Sequence, residues 1–124
     1  MRGTRVFILL AAICAAACGG GGEEASGAEC PDGSSLTYDS FGREFMTDYC
    51  TSCHDSALSG TLRNDAPSAY NFDTIEGIRD ASDEIDGEAA AGPEHINTAM
   101  PPEDPRPSEA DRYRLGEWLA CGAP

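Results

Sequence analysis

The chain has no lysine: all eight of its basic residues are arginine, set against 22 aspartates and glutamates. A net charge of −14 and a pI near 4.2 exclude binding to the phosphate backbone of nucleic acids and adsorption on anionic lipid headgroups, and they favour basic or neutral partners. Long apolar runs are also lacking, since Val6 to Ile13 is too short to span a bilayer. No alternating, strand-rich pattern stands out, which argues against a sheet. Histidine is scarce, with two in 124 residues. Room for a second domain is lacking too, and a domain of under about 100 residues buries only some 60% of its unfolded surface. Such a domain needs a staple, a metal or a cofactor. An acidic composition alone could mean disorder. Phe41, Phe45, Phe72, Tyr113, Trp118 and the six cysteines argue for a packed domain instead.

The first segment reads as a signal peptide: Arg2 and Arg5, an apolar run, then small residues Ala15 to Ala17. Ala15-Ala16-Ala17-Cys18-Gly19 resembles a bacterial lipoprotein signal, in which the cysteine is lipidated and becomes the first residue. Gly19 after that cysteine resembles lipoproteins sent on to the outer membrane. Residues 1–17 are therefore expected to be removed, and Cys18 to carry the lipid. Residues 18–29 form a glycine- and glutamate-rich flexible tether, and 30–124 the folded domain. Ten tether residues reach about 17 Å on average, which would hold the domain close to its membrane on the periplasmic side. Cleavage removes two arginines and no acid, so the mature charge becomes −16.

Cys50-Thr51-Ser52-Cys53-His54 is the C-x-x-C-H of c-type haem attachment. On a helix, residues three apart share a face, so both sulfurs can bond one edge of the porphyrin while His54 offers an imidazole nitrogen to iron. A thioredoxin-like dithiol would need a βαβ context. A zinc site would need a second C-x-x-C or a histidine pair, and His95 stands alone.

The flanks predict helices. Asp39 or Ser40 can cap one whose face carries Phe41, Phe45 and Tyr49 into Cys50. Ser108 and Asp111 can start another, with Leu115, Trp118 and Leu119 as its stripe and Gly122 at its stop. Asp73 to Ile85 is a weaker stretch with Ile75, Ile78 and Ile85. This arrangement resembles the class I c-type cytochromes over roughly residues 36–120. The resemblance implies an all-α fold around one covalent haem, with N- and C-terminal helices crossing where Gly42 and Phe45 meet Leu115 and Trp118.

The second iron ligand is expected from Met100, in the proline-stiffened Ala99-Met100-Pro101-Pro102, where the family places its axial methionine. His95 or an open site are the alternatives, and His95 reads first as an exposed surface residue. Met46 lies one turn before Cys50, on the His54 side. Pro67 is a candidate for the family's proline whose carbonyl accepts a bond from the other nitrogen of His54. Arg63, Asn71 and Phe72 are candidates to line the haem pocket or meet its propionates.

Cysteine parity then leaves Cys30 and Cys121 as a disulfide in an oxidising compartment, closing a loop worth up to about 4.7 kcal/mol. The resemblance implies a monomeric electron carrier with no catalytic residue, working with redox partner proteins. A haem enzyme or gas sensor with an open sixth site, and a structural lipoprotein bearing only a dithiol, are the other readings.

Overall fold

A computed structural model describes residues 24–124. The expected signal peptide 1–17, the lipidation site Cys18 and the tether as far as residue 23 lie outside the described residues.

The described chain is a small all-α structure of four α-helices: α1 Arg43–Tyr49, α2 Ile75–Asp80, α3 Ser82–Ala89 and α4 Glu109–Ala120. A π-helical turn, Tyr38–Gly42, leads into α1, and a 3₁₀ turn, Gly60–Arg63, interrupts the long loop after it. No strand forms among the described residues beyond one isolated bridge, Ala91 to Ile96. No described helix is long and apolar enough to cross a membrane.

The starts of the π-turn, α2 and α4 follow from side-chain caps. The first is capped by Thr37, not by Asp39 or Ser40. Thr37 Oγ1 accepts from Ser40 N at 3.1 Å, while Ser40 Oγ accepts from Thr37 N at 2.9 Å. Ser40 thus serves as the third residue of a capping box, which moves the start upstream. At α4, Ser108 Oγ accepts from Asp111 N at 3.1 Å, as the sequence predicts. Past its end, Gly122 takes a φ of +83°, a left-handed conformation that costs glycine little.

The middle stretch is not one helix but two, broken at Ala81 (φ −110°, ψ 22°). Thr74 caps α2 by accepting from Gly77 N at 3.2 Å. Ile78 and Ile85 both reach the core, where they are buried with Phe41, Phe45, Met46, Phe72, Leu115 and Trp118. Tyr113, expected inside, is instead exposed.

The π-turn meets α4 at Gly42, where an added Cβ would lie 2.3 Å from Cζ2 of Trp118. Only a residue without a side chain permits that approach. Phe41 packs edge-on to Trp118 at 5.9 Å between ring centres, and the Phe41–Phe45–Tyr49 stripe continues at 5.4 and 5.0 Å. Cys30 and Cys121 form a disulfide with Cα atoms 4.7 Å apart, fastening the segment before the first helix to the end of α4.

The expected tether departs from its reading at its described end. Ser26 is buried, and its N and Oγ donate to the Asp86 carboxylate at 2.7 and 2.6 Å. Its carbonyl accepts from Glu94 N and His95 N. Residues 24–28 are thus a strap along α3 and the 90–97 loop. What reads as linker composition buries a polar residue that is fully hydrogen-bonded.

Candidate cofactor site

Helix α1 ends at Tyr49, so Cys50 to His54 continue it as hydrogen-bonded turns and not as a regular helix. The Met46 carbonyl accepts from both Cys50 N and Thr51 N, each at 2.9 Å. The Cys50 carbonyl accepts from Cys53 N at 3.1 Å and His54 N at 2.9 Å. The last bond keeps a helix-like spacing across the motif although the helix has stopped.

The two thiols, His54 and Met100 all line one cavity of about 340 Å³, within the range of small-molecule and cofactor sites. Its walls are largely aromatic, aliphatic and proline carbon, from Phe45, Tyr49, Pro67, Tyr70, Phe72, Ile85, Pro101 and Pro102. Asp65, Glu84 and Glu88 are the acidic residues of the lining. Cys50 and Cys53 are free thiols, and burial pushes the Cys50 thiol up to about 12 against the opposing pull of the Arg112 charge.

On the histidine side, His54 Nδ1 lies 3.0 Å from the carbonyl of Tyr70. A carbonyl can only accept, so Nδ1 carries the proton and Nε2 keeps its lone pair for a metal. The acceptor is Tyr70, not the expected Pro67. The Pro67 carbonyl instead accepts from Arg63 Nη2 at 2.9 Å and from Tyr70 N at 3.1 Å, while the residue lines the cavity. Burial lowers the pKa of His54 and favours the neutral ring, the Tyr70 bond opposes this, and the Arg63 charge adds to the lowering. Phe72 stacks on the imidazole at 4.5 Å and 22° between planes, and its N donates to the His54 carbonyl at 2.7 Å.

Arg63 and Asn71 are not on the cavity wall. Arg63 is buried, and its five N–H groups are matched by five acceptors: the carbonyls of Asp55, Ala66, Pro67 and Tyr70, and Asn71 Oδ1. Nothing remains to meet a propionate. Arg63 is the hub that shapes the 55–71 loop and aims Tyr70 at His54, and Asn71 serves that hub.

On the methionine side, Met100 is 40% exposed. Its N donates to the Glu88 carbonyl and its own carbonyl accepts from Arg112 Nη1, each at 2.9 Å. Met46, 1% exposed, is core and does not line the cavity. His95 is exposed and off the cavity, with Nε2 2.7 Å from Glu24 Oε2. Among the described residues no group of three or more His, Cys, Asp or Glu could hold a metal ion unaided. Two residues missed from the sequence are Tyr70, which acts through its carbonyl, and Arg112, which reads there as one more exposed charge on α4. No family model, no curated protein and no solved structure matches the chain.

Proposed function

We propose that this chain is an extracytoplasmic single-electron carrier of the class I cytochrome c type. In this reading Cys50 and Cys53 would hold one haem c covalently, and His54 and Met100 would ligate its iron. The observation that carries the reading is the cavity itself, whose wall includes both thiols of the C-x-x-C-H, its histidine and the sole candidate methionine. The residues fit the group on three counts. The walls are apolar, as a porphyrin face requires. His54 is the tautomer that can ligate through Nε2. Phe72 and the Tyr70 carbonyl fix its ring, the outer support that ligating histidines need.

When bound, the haem supplies a reversible one-electron couple whose potential is raised by histidine and methionine ligation. The chain's own residues bind, orient and shield. Cys50 and Cys53 would hold the group even where an axial bond opened, Ile85 and Phe45 would keep water from it, and Met100 would fill the place a substrate needs. No residue then acts as a catalyst. The absence of lysine and the net charge of −14 suit a partner with a basic or neutral docking face. Lipidation at Cys18 would keep the monomer on the periplasmic side of a bacterial membrane, the outer one by the Gly19 resemblance.

One observation favours a second reading. Met100 is 40% exposed, which suits a labile sixth ligand and so a haem enzyme or a gas or redox sensor. Protein matured in a host competent for cytochrome c assembly separates the two. The oxidised carrier should show the red-end band of sulfur–iron ligation, and the reduced protein should bind carbon monoxide slowly. Met100→Ala should abolish the band and admit carbon monoxide, while His95→Ala should change neither. A spectrum that responds to His95→Ala and not to Met100→Ala would make the iron bis-histidine. Rapid carbon monoxide binding by the wild type would make the sensor or enzyme reading the correct one.

A further inference from the structure

Arg112 is the second buried guanidinium of the domain, 3% exposed, and it sits on α4 behind the methionine side of the cavity. Burying a charge is costly unless it is fully bonded. In a chain with 22 acidic residues the obvious partner is a carboxylate, yet Arg112 makes no ion pair among the described residues. The two N–H groups of its Nη1 are instead shared among three carbonyls from three places in the chain: Ala89 at 2.7 Å, Asn97 at 2.9 Å and Met100 at 2.9 Å. Ala89 ends α3, Asn97 lies in the loop after it, and Met100 is the residue whose side chain lines the cavity. Three convergent carbonyls fix the relative placement of three backbone segments.

We propose that Arg112 is a positioning residue for Met100: by gripping its carbonyl it holds an otherwise exposed loop so that the thioether stays at the cavity. The inference rests on the electron-carrier reading. Met100 N is bonded to the Glu88 carbonyl, so Arg112 supplies the other half of a two-point anchor on one residue. With that half removed, the residue can swing on Glu88 alone. Removing the outer support of a ligating side chain typically costs roughly 10- to 100-fold in metal affinity or activity.

The test uses full-length, haem-loaded protein and compares Arg112→Gln with Leu119→Ala, a truncation on the same helix of a core residue that does not line the cavity. Arg112→Gln should lose most of the sulfur–iron band and bind carbon monoxide about tenfold faster or more, with amide exchange rising at Met100. Leu119→Ala should lower thermal stability and leave band and carbon monoxide binding unchanged. A full band with slow carbon monoxide binding in Arg112→Gln overturns the proposal, as does an equal loss of the band in Leu119→Ala. Should Arg112→Gln fail to accumulate, Arg112→Lys keeps the charge without the planar fork, and a weakened or undiminished band reads the same way. Wild-type protein that carries no covalent haem would overturn the electron-carrier reading instead, a failure distinct from either of these.

Discussion

The two sides of the cavity are each organised by a buried arginine, and they are built to different standards. On the histidine side, the loop from His54 to Phe72 is closed by Phe72 N on the His54 carbonyl and filled by Arg63, all five of whose N–H groups are matched. On the methionine side, one nitrogen of Arg112 spans three carbonyls, and Met100 remains 40% exposed. The His54 side chain is locked by a saturated hub, whereas Met100 is held by its backbone and is freer at its tip. Under the proposed electron-carrier reading, the embedded histidine would be the permanent ligand and the methionine side the adjustable one.

The largest break in that comparison should come from Arg63→Met. It leaves the Ala66 carbonyl and Asn71 Oδ1 without their Arg63 donor and takes one of two donors from the Asp55, Pro67 and Tyr70 carbonyls, and it should cost about 3 kcal/mol or more in denaturant unfolding. Amide exchange should rise at Phe72 and through 55–71, while the Met100 amide keeps its protection. Equal loss of protection on both sides would mean that the two hubs are not independent.

A smaller effect, on the opposite side, is expected from Ser26→Ala. It removes the Oγ bond to Asp86 and should cost about 1 kcal/mol, loosening the strap and the amides of Glu94 and His95. The His54 loop should be untouched, which amide exchange would read directly.

The smallest concerns pH. The Ser56 hydroxyl, at 2.6 Å, holds the Asp73 carboxyl below its usual value of 3.8. Its folded pKa is therefore lower than its unfolded one. The stability it adds is present above about 3.8 and is lost as pH falls through the folded value. A denaturation series across that range should show a slightly shallower loss for Ser56→Ala than for the wild type.

Legibility in the sequence follows which groups carry each contact. Side-chain patterns are readable: the aromatic stripe into Cys50 and the Ser108 cap rest on residue type and spacing, the Cys30–Cys121 pair on cysteine parity, and the Gly42–Trp118 approach on the family resemblance. Contacts made by backbone carbonyls are not. Tyr70 rather than Pro67 faces His54 because Arg63 bends the loop, and no residue type announces which carbonyl will point where. The break at Ala81 was hidden because alanine is the best helix former, so nothing at that position signals a stop. Ser26 hid for the converse reason, since Ser-Gly-Ala is linker composition and its partner Asp86 lies 60 residues away.

The C-x-x-C-H and its cavity remain the centre of the account, and the intact mass of the mature protein tests them most directly. Protein matured in a host competent for cytochrome c assembly should carry the mass of one haem through denaturation and acidified-acetone extraction. Neither Cys50 nor Cys53 should then be alkylatable. Haem released into the solvent, or both thiols modified in a colourless protein of unaltered mass, would contradict it.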